Sequence, residues 1–281
     1  MIQKSYNNTP SVYVVPTPIG NMEDITLRAL QTLKDVDIIF AEDTRTTNIL
    51  LKHFNIQKKL LSSHLYNEDK MQSKAIKYLK DGKNIAIVSD AGTPIISDPG
   101  YIIIKKAISE GYNVICLPGP TAIIPAIVMS GLSGGPFTFY GFLNSKQSKR
   151  KKELENLKNS TYPIVFYEAP HRLVKTLKDL LEIFGNRQIS IVREISKKYE
   201  EVIRDTIENI VKEVQNIKGE IVIVVEGNKQ IKTFDNLKII DHINLYIEEG
   251  LLPKEAIKKV AKERNILKSE VYNEYIKNKE K

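Results

Sequence analysis

Cysteine is nearly missing from this 281-residue chain: the one present is Cys116. A single cysteine excludes an internal disulfide and a cysteine-built metal site. It lies in the apolar run Tyr-Asn-Val-Ile-Cys-Leu and is expected to be a buried structural thiol. Long apolar runs are missing too. The best candidate, residues 122–132, is shorter than the roughly 18 residues a membrane helix needs, and it contains Pro125, Ser130 and Gly131. The N-terminal MIQKSYNNTP has no apolar stretch of the kind a secretory signal uses. A cytoplasmic address with no membrane partner is therefore expected. With 14 glycines and 12 prolines, the chain has too few of either for a fibrous or low-complexity protein. Neither GxGxxG nor GxxxxGK[ST] occurs, so nucleotide phosphates lack their usual cradle. The four histidines (His53, His64, His171 and His242) have no ligand spacing, and no metal is expected.

What is present fits a folded protein of one large or two ordinary domains: 42% of residues are apolar and 27% charged. The formal charge is +8, which favours a polyanionic partner. Lysine outnumbers arginine 34 to 8, so a general lysine bias contributes to that excess. Two segments concentrate it. Residues 144–158 hold six bases against two acids, and residues 254–281 hold nine against five.

Short β-rich runs alternate with helical ones, the pattern of an α/β fold. Residues 11–15, 37–41, 60–63, 84–89 and 113–117 read as strands, with helical spacing over 26–33, 74–79 and 101–110. The run 84–89 is almost wholly apolar, as in a sheet covered on both faces. Ser133-Gly134-Gly135-Pro136 breaks the pattern. Beyond it, 137–140, 164–167 and 188–193 read as strands, and 202–206 with 220–225 as a closing antiparallel pair. Helices are expected over 172–184 and 207–214, and helices alone from 235 onward. One of these opens at Leu252-Pro253 and another near Ser269, spaced as in a helix-turn-helix unit. The expected organisation is an α/β domain over 1–134, a second over 135–232 and a helical basic tail over 233–281.

The chemistry-bearing segments sit just after strands, where open α/β sheets bind ligands. Pro16-Thr17-Pro18-Ile19-Gly20-Asn21 is a rigid turn with one flexible residue. Ala41-Glu42-Asp43-Thr44-Arg45 pairs two carboxylates with an arginine. Its plain reading is a cap from Asp43 and an Arg45–Glu42 ion pair; its functional reading is a proton acceptor beside an anion-binding guanidinium. Ser89-Asp90-Ala91-Gly92-Thr93-Pro94, followed by Ser97-Asp98-Pro99-Gly100, suits a polar small ligand read through main-chain groups. Leu117-Pro118-Gly119-Pro120-Thr121-Ala122 and Tyr167-Glu168-Ala169-Pro170-His171-Arg172 complete the set.

In this order and spacing, TPIGN, AEDTR, SDAGTP, ISDPG, PGP-T-A, YEAPHR and REISKKYEE resemble the tetrapyrrole-methylase superfamily of S-adenosylmethionine-dependent methyltransferases. Within it they are similar to the small-subunit ribosomal RNA cytidine-2′-O-methyltransferase I family, from about Val12 to Gly227. Three segments depart from that family's usual pattern: Pro16 stands where Ala or Gly is usual, Leu65-Tyr66 interrupt a histidine-rich segment, and GFLP appears as Gly141-Phe142-Leu143-Asn144.

The resemblance implies a two-domain class III α/β methyltransferase with a small helical C-terminal extension, a homodimer acting on small-subunit ribosomal RNA within an assembled subunit. S-adenosylmethionine is implied as the cofactor, held between the domains by Pro16, Ser89, Asp90, Ala91, Gly92, Thr93, Thr121, Ala122, Tyr167 and Glu168. Glu42 and Asp43 are the leading candidates for the base that takes the ribose hydroxyl's proton, with Arg45 placing a phosphate. Glu168, Glu194 and His64 are reserves. Substrate contacts are expected from His64, Asn67, Lys146, Arg150, His171, Arg172 and Arg193, joined by Lys149, Lys151, Lys152 and the basic tail. Two other readings stand beside this one. One is a methylase of the same superfamily acting on a tetrapyrrole or a protein. The other is a non-catalytic RNA-binding or ribosome-assembly protein.

Overall fold

The computed structural model describes residues 2–5, 7–64, 67–214, 217–229, 237–264 and 266–279. Leu65 and Tyr66, and the expected boundary at 232/233, lie outside the described residues. The chain forms two compact units, residues 1–228 and 229–281.

The first unit is built on two five-stranded sheets. Strands β1 (Ser11–Val14), β2 (Ile38–Ala41), β3 (Lys59–Ser62), β4 (Ile85–Val88) and β5 (Asn113–Cys116) lie in the order β3-β2-β4-β1-β5. All their pairings are parallel. The inner strands β2 (IIFA) and β4 (IAIV) are buried at every position because helices cover both faces. One face packs on α1 (Leu27–Asp35) and α2 (Thr44–His53) through Ala29, Leu33, Leu50 and Leu51. The other packs on α3 (Glu68–Lys80) and α4 (Tyr101–Ser109) through Met71, Leu79, Ile103 and Ala107. Local chemistry starts α1: the Thr26 side chain accepts from the Ala29 amide (3.0 Å), a standard N-cap bond. Cys116 corrects the sequence reading. It ends β5, an edge strand with no neighbour beyond it, and is exposed.

The second sheet comprises β6 (Thr138–Phe142), β7 (Ile164–Glu168), β8 (Gln188–Arg193), β9 (Glu201–Thr206) and β10 (Ile221–Val225) in the order β6-β7-β10-β8-β9. β6 runs parallel to β7; the β7–β10, β10–β8 and β8–β9 pairings are antiparallel. The expected pairing of 202–206 with 220–225 is thus corrected. β10 (IVIVV) is buried throughout and inserts between β7 and β8, whereas the half-exposed β9 takes the edge. Helices α6 (Gln147–Leu157), α7 (Leu173–Phe184) and α8 (Ile207–Glu213) cover one face, where Leu154, Leu177 and Ile210 are fully buried. Each such side chain is worth about 1.5–3 kcal/mol of transfer free energy. Helix α5 (Ile123–Ser130) covers the other face. It leaves the last strand of the first sheet yet packs Ala126 and Ile127 against Val165, Val192 and Val224 of the second.

Arg150 on α6 is a further correction. The sequence places it on a basic RNA-binding face, but its side chain is 3% exposed. Its guanidinium donates to Asp179 of α7 (Nε–Oδ2 2.7 Å, Nη2–Oδ2 2.6 Å) and to the Ser145 carbonyl (3.2 Å). One turn on, Leu154 is inward as well, while Lys149 and Lys152 face solvent.

The second unit is a cluster of three helices, α9 (Ile239–Glu248), α10 (Pro253–Arg264) and α11 (Lys268–Lys279), around Ile243, Ile257, Val260 and Val271. His242 is buried there, accepting from Arg264 Nε at its Nδ1 (3.1 Å). Among the described residues, no helix is long and apolar enough to cross a membrane.

Candidate active site

The carboxyl ends of β1, β2, β4 and β5 carry loops that are laced together. Thr17 and Gly92 exchange both main-chain hydrogen bonds at 2.9 Å. The Thr17 hydroxyl donates to the Ser89 carbonyl (3.1 Å), and the Thr93 hydroxyl to the Pro120 carbonyl (3.1 Å). Gly92 has φ +79°, a conformation that a side chain would strain. The loop after β4 also holds Ile95 at φ 88°, costly for a β-branched residue. The Gly100 amide fastens this loop to α3 by donating to Glu68 Oε1 (2.7 Å).

These loops face the second sheet across a cavity of about 610 Å³, within the range of small-ligand sites. The far wall is the carboxyl end of β7 (Tyr167, Glu168) and the start of β10 (Ile221, Val222). The two ends coincide because the antiparallel register sets Ile221 opposite Glu168. The walls are largely apolar: Ile19, Ile123, Ile195, Ile221 and Val222 contribute. Five carboxylates line the cavity, from Glu42, Asp90, Asp98, Glu168 and Glu220; among the described residues no Lys, Arg or His lines it, while Arg172 and Lys197 pair with Glu168 and Glu220 (3.2 Å each).

Three of those carboxylates share a cluster. Burial pushes Asp98 up to about 6, reinforced by the charges of Glu42 and Asp90. Burial, with Asp90 and Asp43 nearby, also raises Glu42; burial, then the charge of Asp43, raises Asp90. Burial next to Asp98 pushes the Tyr167 hydroxyl up to about 12. A pocket of this charge favours an organic cation with apolar surface and repels phosphates.

The profile of the family described as Tetrapyrrole (Corrin/Porphyrin) Methylases matches residues 11–211, which hold the first sheet and every strand of the second except β10. The chain belongs to this family. Its relatives include ribosomal RNA small subunit methyltransferase I of Bacillus subtilis (strain 168), 47% identical over 97% of each chain. The protein of that name from Halalkalibacterium halodurans is 45% identical, over 97% of this chain and 98% of its own. Among solved structures, the methyltransferase CobJ superposes with a TM-score of 0.60 at 16% identity, covering 78% of this chain and 95% of its own. Uroporphyrin-III C-methyltransferase from Thermus thermophilus, complexed with S-adenyl homocysteine, superposes with a TM-score of 0.55 at 17% identity, covering 76% and 96%. These two carry the fold, the two-domain α/β architecture of class III methylases.

In this family member, eight of the ten residues expected around a donor line the cavity: Asp90, Ala91, Gly92, Thr93, Thr121, Ala122, Tyr167 and Glu168. The other two stand behind it. Pro16 packs so closely on Gly119 that a Cβ there would lie 2.7 Å from the proline ring. Ser89 is buried, its hydroxyl directed at the Ala91 and Gly92 carbonyls (3.3 Å each). Glu168 is fully engaged, accepting from the Thr176 hydroxyl (2.5 Å) and the Ala169 amide (2.8 Å), with Arg172 Nε at 3.2 Å.

Of the three residues expected to be catalytic, Glu42 reaches the cavity. Asp43 instead caps α2, accepting from the Arg45 amide (2.7 Å), and Arg45 pairs with Asp43 (2.6 Å) where the sequence reading had it pair with Glu42. That bonding holds the Asp43 carboxyl down to about 2. Glu194 is held low by the Glu220 amide and Lys197 (2.9 Å each). The expected substrate contacts are spread over the surface. Asn67 braces its own loop, accepting from the His64 amide (2.9 Å) and donating to the Ser62 carbonyl (3.0 Å). Arg193 pairs with Glu201, Lys146 and His171 are exposed, and Arg172 donates to the Leu143 carbonyl (2.6 Å). Asp98 is the site residue that sequence reasoning passed over. Its Ser-Asp-Pro-Gly motif was legible, but nothing local indicated that the loop folds back beside Glu42.

Proposed function

We propose that the chain uses S-adenosylmethionine to methylate the ribose 2′-oxygen of a cytidine in small-subunit ribosomal RNA. Identity of 39–47% over nearly the full length to enzymes named ribosomal RNA small subunit methyltransferase I carries the reaction and the substrate class. The acid-lined cavity, with no Lys, Arg or His among its described lining residues, supports the donor, whose sulfonium and ammonium groups are positive where phosphate-bearing cofactors are negative. Cytidine, the 2′-oxygen, the assembled subunit as substrate and a homodimer are finer parts of the same proposal, supported by the sequence motifs.

When bound, the donor supplies an electrophilic methyl group. Main-chain groups of Ala91 and Gly92, with Thr121 and Ala122, would hold its polar end, and the isoleucine-rich walls would keep water out. Orientation of the two reactants in such a crevice supplies several kcal/mol. The ribose hydroxyl is a weak nucleophile, so a carboxylate that removes its proton as the O–C bond forms speeds transfer roughly 10²–10⁴-fold. Glu42 and Asp98 suit that role, because both face the cavity and burial raises both. Asp43, Glu168 and Glu194 are committed to hydrogen bonds and ion pairs. Arg45, exposed and paired with Asp43, suits a backbone phosphate.

The test incubates purified protein with tritium-labelled donor and, in separate arms, small subunits, tetrapyrroles and free protein, followed by mass mapping of ribose methylation. Label in a ribose-methylated cytidine of the subunit's RNA is the expected result. Label in a tetrapyrrole or protein alone, or donor binding without transfer, overturns the proposal.

A further inference from the structure

Phe142 presents an aromatic ring that the fold leaves more than half exposed. It ends β6, lines the cavity and is 55% exposed. In a regular strand, residues two apart share a face, so Phe142 would point the same way as Tyr140. It does not. The β6–β7 register slips between Phe139 and Gly141, and Gly141 adopts φ +87°. The slip puts Phe139 and Phe142 on one side, both against Tyr167, with ring centroids 5.0 Å and 5.4 Å from it. Tyr140 is left on the other side against Phe166 (5.8 Å). Bulges of this kind re-aim side chains beside functional sites. Here the re-aimed ring moves to the cavity face and stays half in water, so the irregularity adds little to the core. A second apolar side chain, Ile96, also lines the cavity while 66% exposed. Its loop passes close to β6: a Cβ on Gly141 would lie 3.8 Å from Ser97 Oγ.

We propose that Phe142 is a stacking platform for the nucleobase of the target ribonucleotide, turned out of its helix or loop, with Ile96 as the opposite wall. This rests on the RNA-methylation reading. Chemistry on a ribose buried in folded RNA requires the nucleotide to be splayed out, and splayed bases stack on aromatic faces. The ring lines the cavity while more than half exposed, so it meets both the site and solvent, and the carboxylates that suit proton removal line the same cavity. Position as well as chemistry therefore matches the base.

The experiment compares wild type with Phe142→Ala, Phe142→Leu and Phe142→Trp, measuring kcat/KM on purified small subunits and donor affinity by calorimetry. Phe142→Ala is expected to lose roughly 10–100-fold in kcat/KM, the scale of one base–aromatic stack, with donor affinity unchanged within about twofold. Phe142→Trp should restore most of the loss and Phe142→Leu little of it. Recovery by leucine equal to that by tryptophan assigns mere apolar bulk and overturns the platform. A fall in donor affinity that accounts for the whole loss places the ring against the donor and overturns it as well. If wild type is active and Phe142→Ala matches it, this inference alone fails. If wild type transfers no methyl to the subunit, the function reading fails and takes the platform with it.

Discussion

The two sheets treat their carboxylates in opposite ways. On the second sheet and its helices, acids are partnered: Asp179 holds Arg150, Glu168 holds Thr176 and Arg172, and Glu194 holds Lys197. On the loops of the first sheet, Glu42, Asp90 and Asp98 gather around one cavity, where burial, joined by the charges of neighbouring carboxylates, raises all three. Arg45, whose field reaches Asp90, is bound to Asp43. A partnered buried acid belongs to the architecture. A cluster of half-buried and exposed acids around one cavity, with the nearby Arg45 already bound to Asp43, is a cost to folding that is sensible where a ligand brings positive charge.

The sharpest way to break that contrast is Asp98→Asn. Methyl transfer should fall roughly 10²–10⁴-fold while donor affinity, measured by calorimetry, falls far less. In wild type the rate should climb through a pH of about 6, as the Asp98 carboxyl ionises, and that limb should vanish in the variant. Equal losses of rate and affinity would assign Asp98 to donor binding alone. The opposite class is tested by Asp179→Ala, which strands the buried Arg150 guanidinium. Urea unfolding should register a loss of about 3–5 kcal/mol.

A smaller effect carries the reverse sign. The Asp98 carboxyl rises from 3.8 to about 6 on folding, so ionising it disfavours the folded state. The fold therefore loses stability as pH climbs through that interval, and above it the penalty is complete. Asp98→Asn should raise the unfolding free energy at pH 7.5 by about 1 kcal/mol, after discounting for solvent screening, and the gain should disappear at low pH. A variant less stable than wild type at pH 7.5 would contradict the raised Asp98 carboxyl. Smallest of all, Lys149→Ala and Lys152→Ala should each flatten the salt dependence of RNA affinity by about one unit of logarithmic slope. No change in slope would make that face of α6 a merely solvated one.

Strand positions were legible because apolar runs and turn residues are local signals; β8 matches its expected range residue for residue. Helix α2 was legible only through its start, the cap read from Asp43; TRTTNILLKH opens with polar, β-branched residues, and its length is set by packing on the sheet. Pairing was only partly legible. The all-apolar IVIVV already indicated a strand covered on both faces, yet the closing-pair reading followed chain order instead. Arg150 and Cys116 failed for one shared reason: composition reports what a segment contains, and burial depends on which side of an element faces a neighbour. Asp98 and Phe142 were hidden for another. A loop's return path and a strand's slipped register are set by tertiary contacts, and neither has a one-dimensional trace beyond the glycine that permits it.

Helix α5 has a consequence for how this gene can be cut. Being encoded with the first sheet but seated on the second, it makes each half incomplete by itself. A fragment ending at residue 134 would carry Ala126 and Ile127 into water, and a fragment starting at residue 135 would bare the valines they cover. The two pieces made separately should be sticky and insoluble. Made together, they should find each other, with that one greasy helix as the handshake.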